Sequence, residues 1–325
     1  MPETRLNQAL ARKFEAAAAK LRRFAPIRRR YLVAVSGGAD SVAMLHWLHR
    51  CGYKGLVVCH VNHHLRGSAS DGDARFVRNF ANKMELPCWV ADAPLGGTAS
   101  LETEARDLRY EAFVAVAHEE RIPRILLAHH ADDQAETVLW NAVRGCGLEG
   151  IGGMSPESKR SISGTEMTLL RPWLELERAD IRAYLVAFKL KWREDALNAD
   201  NGPIRNRLRL QILPELEKTL GRPVRRALVQ LAEVAREENR VLEGMLFPNQ
   251  AEPAIADLRS WPVAIQRRWL MRWLQLSGVP LMSFAIVEKV RELLELGKTA
   301  KVNLPGNGHC RRTAGRLWLE NVVIK

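Results

Sequence analysis

Residues 31–41 read YLVAVSGGADS and combine three local patterns. The first five, Tyr31 to Val35, are β-prone and too apolar for a strand with a solvated face, so they predict a central strand of a parallel sheet. Ser36 to Ser41 then turns the chain, and the apolar residues Val42, Leu45 and Leu48 follow at helical spacing. A strand, a glycine-rich turn and a helix N-terminus form a phosphate-binding geometry, because small residues let backbone N–H groups approach an anion that the helix dipole also favours.

The turn matches neither of two common nucleotide-binding patterns. No Lys-Ser or Lys-Thr pair follows the glycines, and the GxGxxG pattern is absent. Paired glycines at a strand-to-helix turn can also serve only to let the chain turn. The hexapeptide alone therefore leaves a structural and a phosphate-binding interpretation open, and other motifs must decide between them.

The segments that follow alternate between apolar strands and amphipathic helices. Predicted strands cover Gly55 to Val61, Pro87 to Ala91 and Arg124 to Ala128; predicted helices begin near Ser70, run from Leu101 to Glu120, and run from Asp132 to Val143. This alternation predicts an α/β fold with a doubly wound, Rossmann-like parallel sheet whose ligand site lies at the carboxyl ends of the strands. The polar clusters 36–41, 60–66 and 129–136 all fall at such ends.

The second half of the chain is predicted to be mainly helical. A glycine-rich loop spans Gly145 to Met154, and helices are predicted at Glu177 to Leu190, Asn206 to Leu220 with a break at Pro214, Val224 to Leu246, Val263 to Leu276 and Phe284 to Leu296. Phe247 to Pro253 is the expected linker, and the tail after Lys298 predicts a small β-hairpin region. We expect a catalytic domain over 1–220, followed by a linker helix and a smaller helical domain over 221–325.

The composition favours a polyanionic partner. Lys and Arg outnumber Asp and Glu by 49 to 37 in 325 residues, which gives a net charge of +12 and a pI near 9.8. A basic enzyme without a nucleic-acid role is the alternative on charge alone. The five cysteines show no CxxC pair, which fits a reducing, cytoplasmic location. No apolar run approaches the length of a membrane span, and the oligomeric state, a homodimer included, stays open.

Residues 129–137, HHADDQAET, form the densest polar cluster of the chain. On a helix that begins near Asp132, Asp133 and Glu136 share one face. Two carboxylates there can hold Mg²⁺ or a substrate ammonium. The alternative is a first helical turn enriched in acids because of the helix dipole, which does not explain the paired histidines. His129 and His130 do not predict a zinc site, since no third soft ligand stands at suitable spacing.

With SGGADS and HHADDQAET together, the chain resembles the tRNA(Ile)-lysidine synthases, a branch of the PP-loop ATPase superfamily. Further stretches match this family in the same order: HVNHHLR (60–66), SDGD (70–73), EARDLRY (104–110), GCGLEG (145–150), RPWL (171–174), WRED (192–195) and RNRLR (205–209). The resemblance covers about residues 34–216. SGGADS alone would indicate only the superfamily, whereas the set of stretches is specific to this branch.

The resemblance implies a two-step ligation on an isoleucine tRNA with a CAU anticodon. ATP adenylates the C2 carbonyl oxygen of the wobble cytidine, the ε-amine of free L-lysine attacks C2, and AMP leaves, so that lysidine and pyrophosphate result. A carbonyl oxygen is a poor leaving group and AMP is a good one. The attacking amine must be neutral, so the reaction needs a carboxylate that positions and deprotonates it.

The resemblance also implies roles for residues of this sequence. Ser36, Gly37, Gly38, Ala39, Asp40 and Ser41 are expected to hold the ATP phosphates, with Asp40 in contact with Mg²⁺. His60, Val61 and Asn62 are expected to border the adenine. Asp133 and Glu136 are expected to bind the lysine ammonium, with His129 or His130 close to the reacting base. Arg106 and Arg205 are candidates for neutralising a phosphate or carboxylate, and for Arg106 an exposed helix partner is an equal alternative. A further polar cluster comprises Asn198, Asp200, Arg205, Asn206 and Arg209.

Weaker signals concern RNA binding and rival activities. Trp261, Trp269, Trp273 and Trp318 could stack on loop bases, although helical spacing favours a core role for Trp269 and Trp273. One rival is another PP-loop adenylating enzyme such as a tRNA thiolase, but the paired cysteines that thiolation uses are absent. The rival from another class is a nucleotide-binding RNA chaperone without catalysis, which would not need Asp133 and Glu136.

Overall fold

A computed structural model of the chain describes residues 6–64, 67–95, 101–194, 204–245, 254–280, 282–295, 297 and 299–321. The chain divides into two compact units, Met1–Arg236 and Glu237–Lys325, which are described separately. The division falls inside a long helix (Val224–Gly244), whereas the sequence predicted a domain boundary at its start. The predicted linker at 247–253 and the candidates Asn198 and Asp200 lie outside the described residues.

The first unit follows the predicted order of strands and helices. Its elements are α1 (Gln8–Phe24), β1 (Tyr31–Ala34), α2 (Ala39–Arg50), β2 (Leu56–Asn62), α3 (Ser68–Asn82), β3 (Cys88–Asp92), α4 (Leu101–Glu120), β4 (Arg124–Leu126), α5 (Ala131–Val143), α6 (Leu148–Ile151), β5 (Glu157–Ile162), β6 (Thr165–Leu170), α7 (Arg178–Ala187), α8 (Ile204–Arg207), α9 (Leu213–Leu220) and α10 (Val224–Gly244). A π-helical segment, Leu208–Ile212, joins α8 to α9.

Within the described part of the chain these strands form a six-stranded sheet in the order β3-β2-β1-β4-β6-β5. The predicted parallel arrangement is confirmed for β3, β2, β1 and β4. Strand β6, which the sequence did not predict, pairs parallel with β4. Consecutive strands β1, β2 and β3 run toward one edge while β4 lies on the other side of β1, so the strand order reverses between β1 and β4. In doubly wound sheets the ligand crevice lies at this reversal, beyond the carboxyl ends of the strands.

Both faces of the sheet are buried, which explains why β1 is apolar throughout. Tyr31 and Val33 pack on one face against helices α1, α2 and α7, and Leu32 packs on the other face against α4. All three side chains are fully buried. Side chains alternate between the faces of a strand, so a strand covered on both faces must be apolar at every position.

Three features of this unit differ from the sequence prediction. The hairpin of β5 and β6, which pair antiparallel through a turn at Ser163 and Gly164, was not predicted. The sequence of β5, ESKRSI, contains one apolar residue, so the Ser-Gly turn was the available signal. The glycine-rich stretch 145–154 contains α6, and the helix predicted over 206–220 is interrupted by the π-helical segment, which ends before Pro214.

The second unit is mainly helical with a small sheet. It contains α11 (Ile255–Ser260), α12 (Val263–Leu276), α13 (Phe284–Glu292), β7 (Lys301–Asn303), β8 (His309–Thr313) and β9 (Arg316–Glu320). The three strands are antiparallel in the order β7-β8-β9, so the predicted hairpin carries one additional strand. Trp269 belongs to the core of this unit, and Trp273 packs beside it with the two ring centroids 5.6 Å apart. Trp318 on β9 is 41% exposed.

The arginines of α12 are engaged within this second unit. Arg267 pairs with Glu288, and Arg268 and Arg272 both pair with Glu243. Their charges are therefore partly neutralised within the unit. No helix in the described residues is both long and apolar enough to cross a bilayer.

Candidate active site

The glycine-rich turn after β1 is held by its two serines. Ser36 Oγ accepts a hydrogen bond from Gly38 N at 3.2 Å, and Ser41 Oγ donates to Gly38 O at 3.0 Å. Gly37 has φ of +92° and Gly38 is the N-cap of α2. The turn therefore closes on itself, and the unpaired N–H groups of the first turn of α2 remain available for an anion.

Gly37 also packs against two other segments. A Cβ atom there would lie 3.4 Å from Val77 Cγ2 on α3. The carbonyl of Gly37 accepts a hydrogen bond of 2.9 Å from Arg193 N, in the segment after α7. A residue other than glycine would be strained at this φ, whereas its Cβ would make only ordinary contact with α3.

The carboxyl end of β2 forms one side of the crevice. His60 Nδ1 lies 2.8 Å from Val35 O, and the Asn62 amide donates to Asp71 Oδ1 at 3.1 Å. Both side chains are buried, and burial lowers the pKa of His60. A neutral His60 can donate its Nδ1 proton to the Val35 carbonyl. His60 and Asn62 therefore fix the loops at the end of β2, with Val61 half-buried between them.

His130 links the glycine-rich turn to the start of α5. It is the N-cap residue of α5, and its backbone N–H donates to Asp133 Oδ2 at 3.0 Å. Its Nε2 lies 3.6 Å from Asp40 Oδ2 and 3.5 Å from Asp133 Oδ2, and its Nδ1 lies 3.5 Å from Asp132 Oδ2. The two predicted motifs, which are far apart in the sequence, therefore meet through Asp40 and His130.

The carboxylates around His130 decide its charge. Burial opposes protonation, but Asp133, Asp132 and Asp40 together raise the pKa of His130 to about 10. The backbone nitrogen of Asp132 also lies 3.2 Å from His130 Nδ1, and only a neutral imidazole could accept a hydrogen bond from it there. Three carboxylates outweigh that single neutral contact, so His130 is a cation at neutral pH.

His129 has the opposite character. Burial lowers its pKa to about 4, with Asp133 opposing the shift and Arg171 and Arg205 adding to it. Its Nδ1 is buried without a hydrogen-bond partner in the described part of the structure. His129 is therefore neutral at physiological pH and keeps an unused nitrogen beside the carboxylate cluster.

Asp133 and Glu136 share one face of α5, and a guanidinium lies between them. Arg209, from the π-helical segment, donates through Nε to Glu136 Oε1 at 2.6 Å and through Nη2 to Asp133 Oδ1 at 2.8 Å and to Glu136 Oε2 at 3.1 Å. The sequence placed Arg209 in a polar cluster but gave no sign of this pairing. The only available signal was the RNRLR stretch at 205–209.

The two carboxylates differ in acidity. Burial raises the pKa of Glu136, and Arg209 only partly offsets this. Burial acts on Asp133 in the same direction, but His130 and Arg209 outweigh it and hold the pKa of Asp133 below its usual value. Glu136 is therefore the carboxylate whose affinity for a proton is closer to the neutral range.

Asp40 offers an oxygen suited to a metal ion. Its Oδ1 is buried without a hydrogen-bond partner in the described structure, beside the glycine-rich turn. The described residues hold no group of three or more metal-ligating side chains. One carboxylate beside phosphate groups is the usual arrangement for Mg²⁺, which keeps several waters and binds nucleotide oxygens. The residues present therefore fit Mg²⁺ carried by a bound nucleotide.

The two arginine candidates lie in different places. Arg205 on α8 is half-buried and close enough to lower the pKa of His129 and to oppose the rise at Glu136. Arg106 is exposed on α4, with its guanidinium 5.9 Å from the ring centroid of Tyr110, one helical turn further on. The described contacts thus bring Arg205, but not Arg106, to the carboxylate cluster.

Comparison with known proteins first defines the class. A family model described as the PP-loop domain matches residues 6–216, which supports the use of ATP, and one described as the TilS substrate binding domain matches 254–318. The U34-tRNA thiolase NcsA from Methanococcus maripaludis, solved with its [4Fe-4S] cluster, has a similar fold. Its TM-score is 0.56 at 17% identity, over 73% of this chain and 80% of that chain.

Curated relatives then define the family. The tRNA(Ile)-lysidine synthase of Solibacter usitatus is 37% identical over 81% of this chain and 61% of its own length. That of Thermosynechococcus vestitus is 32% identical over 93% of this chain and 89% of its own length. The chain belongs to the tRNA(Ile)-lysidine synthase family. It spans 50% of the Clostridium acetobutylicum relative and 44% of the Porphyromonas gingivalis relative.

Proposed function

We propose that this protein joins L-lysine to C2 of the wobble cytidine in an isoleucine tRNA with a CAU anticodon. ATP adenylates the C2 oxygen and releases pyrophosphate; the ε-amine of lysine then attacks C2 and releases AMP. The observation that carries the proposal is the contact between Asp40 and His130. It sets a phosphate-binding turn beside a pair of buried carboxylates, which is the arrangement that adenylation followed by amine attack requires.

The glycine-rich turn supports the first step. The N–H groups at the start of α2 and the serine-braced turn would hold the triphosphate, and Asp40 would hold Mg²⁺ through its unpartnered oxygen. Magnesium bound there would neutralise charge on the departing pyrophosphate. His130, as a cation beside Asp40, adds positive charge at the same place, and the end of β2 at His60, Val61 and Asn62 is the proposed border of the adenine.

The carboxylate pair supports the second step. Asp133 stays ionised and can hold the ε-ammonium of lysine, while Glu136, whose pKa is raised by burial, is the better acceptor for the proton that the amine must lose. His130 is already protonated and so does not serve as this base. His129 lies beside the pair as a neutral side chain, and we assign it contact with the reacting cytosine. Arg205 would neutralise a phosphate or the lysine carboxylate.

The second unit is the proposed contact for tRNA. The substrate-binding model matches residues 254–318, and Trp318 exposes a ring on β9 that can stack on an unpaired base. The basic surplus of the chain favours phosphate contacts whose strength falls with salt. An anticodon loop presents unstacked bases, so presenting the target cytosine costs little.

The thiolase alternative finds no support in the cysteines. Burial raises the pKa of Cys51 to about 11 and those of Cys59 and Cys310 to about 12, so none of the three is a thiolate at neutral pH. Thiolate character is what sulfur transfer needs. Cys88 and Cys146 also have raised pKa values.

The direct test incubates the protein with ATP, labelled lysine and a transcript of the isoleucine tRNA. Label should enter the tRNA only with ATP, with one AMP and one pyrophosphate released per lysine. A transcript with uridine at the wobble position is the matched control and should accept no label. Release of ADP in place of AMP would contradict the adenylation, and AMP release that ignores lysine would favour the thiolase class.

A further inference from the structure

Arg209 occupies the place that the proposed function assigns to the substrate amine. Its guanidinium bridges Asp133 and Glu136 through three hydrogen bonds of 2.6–3.1 Å. The Arg209 side chain is 22% exposed, whereas Glu136 is 2% exposed and Asp133 is 16% exposed. The arginine is therefore the most exposed of the three side chains, and Glu136 is almost closed off from solvent.

One cation fits this position, not two. An alkyl ammonium and a guanidinium are both monocations that donate hydrogen bonds to carboxylates. The two carboxylate groups already direct three of their oxygens at Arg209. A lysine ammonium placed among the same oxygens would face a like charge at short range, so the two cations compete for the site.

The backbone of Arg209 is anchored independently of its side chain. Arg225 donates through Nη2 to the Arg209 carbonyl oxygen at 3.2 Å, and its Nε lies 3.4 Å from Asp132 Oδ1. The π-helical geometry of Leu208–Ile212 is itself uncommon and often marks functional positions. The side chain can leave the carboxylates by rotation about its own bonds while the main chain stays in place.

We infer that Arg209 is an internal competitor of the amine substrate, whose guanidinium fills the ammonium position in the free protein and must leave before lysine binds. This inference rests on the proposed function. It makes Arg209 a specificity-determining residue, because only a ligand that brings its own cation can restore the charge balance of Asp133 and Glu136 when the arginine departs.

The test measures L-lysine binding to the full chain at pH 8 by calorimetry, without tRNA. Arg209→Gln removes the competitor and should tighten lysine binding about tenfold. Lysine then no longer has to displace a guanidinium from Asp133 and Glu136 before it binds. Arg207→Gln changes an exposed arginine two residues away and should leave lysine affinity at the wild-type value. Unchanged or weaker lysine binding by Arg209→Gln would overturn the inference.

A second measurement separates competition from a structural effect. In Arg209→Ala, added ethylguanidinium should weaken lysine binding, since it can refill the vacated position, and it should have much less effect on the wild type. If ethylguanidinium leaves lysine binding to Arg209→Ala unchanged, the arginine does not act as a competitor. Should the glutamine and alanine variants fail to fold, Arg209→Met keeps a long side chain without a cation and should also bind lysine roughly tenfold tighter than the wild type. Equal or weaker binding by that variant would overturn the inference.

The failure of the proposed function has a different signature. Asp133→Asn with Glu136→Gln should abolish lysine binding whatever residue stands at 209. If that double variant binds lysine as the wild type does, the amine pocket is elsewhere and the proposed role of the carboxylates fails. If it abolishes binding while Arg209→Gln does not tighten it, the pocket stands and only the role of Arg209 is wrong.

Discussion

The carboxylate of Asp40 lies 3.6 Å from Nε2 of His130, at the point where the first turn of α2 meets the start of α5. β1 and β4 are adjacent parallel strands, so the loops at their carboxyl ends are brought together by the sheet. Through this contact the glycine-rich turn and the carboxylate pair form one candidate site. Each prediction below tests one part of it.

Asp40→Asn should abolish pyrophosphate release. The substitution keeps the size of the side chain but removes the charge that would hold Mg²⁺, and the loss should be about 100-fold or more, since metal stabilisation of the transition state is worth several kcal/mol. Pyrophosphate is measured in a coupled assay with saturating tRNA and lysine. Near wild-type release at ordinary Mg²⁺ concentrations would remove Asp40 from the metal site.

Glu136→Gln should raise the KM for lysine by about tenfold or more while the KM for ATP changes little, because the amine loses a charged partner and a proton acceptor. Glu166→Gln, which changes an exposed acid on β6 paired with Lys159, is the control and should behave as the wild type. An unchanged lysine saturation curve for Glu136→Gln would show that the amine binds elsewhere.

Gly37→Ala should reduce ATP use as well as stability. At φ of +92° any side chain is strained by about 1–2 kcal/mol. Gly52→Ala is the matched control, since Gly52 has φ of +90° but nothing within 4 Å of its position. Both variants should lower the free energy of unfolding by similar amounts in urea titrations, and only Gly37→Ala should weaken ATP binding. Equal ATP binding by the two variants would argue that the turn is structural.

His129 should make stability fall at mildly acidic pH. Its pKa is near 4 in the folded state and about 6.5 when unfolded. As pH falls from about 6.5 toward 4 the unfolded chain takes up a proton that the folded chain refuses, so the free energy of unfolding decreases. Over that pH interval the free energy of unfolding of His129→Asn should fall less than that of the wild type, by on the order of 2–3 kcal/mol.

The matched control for this pH experiment is His118→Asn, an exposed change on α4, which should keep the wild-type slope. Denaturant titrations at several pH values give the comparison. Parallel pH profiles for the wild type and His129→Asn would show that His129 is not buried in a neutral form.

The tryptophans of the second unit should separate into two groups. Trp269 is 6% exposed in the core and Trp318 is 41% exposed on β9. Trp269→Ala should destabilise this unit by about 3–5 kcal/mol. Trp318→Ala should change stability by less than about 0.5 kcal/mol but weaken tRNA binding in a filter assay. A Trp318→Ala variant with wild-type tRNA affinity would exclude base stacking by that ring.

Much of the fold could be predicted because its signals are local. The apolar run Tyr31 to Val35 and the helical spacing after Ser41 depend on neighbours in sequence, and β1 and α2 stand where those patterns indicated. The predicted end of β4 at Ala128 was too late, since the strand ends at Leu126. The edge strand β5 was missed because five of its six residues are polar, so it shows no apolar alternation.

The sequence by itself determined the glycine-rich turn, the parallel order of β1 to β4 and the shared face of Asp133 and Glu136, because glycine placement and side-chain periodicity are properties of short segments. The family followed from the resemblance of several short motifs that occur in the same order. Only the tertiary structure decided that Asp40 meets His130, that His129 is neutral while His130 is charged, and that Arg209 bridges Asp133 and Glu136. Charge states and ion pairs depend on burial and on distances between segments remote in sequence. No local pattern contains those quantities.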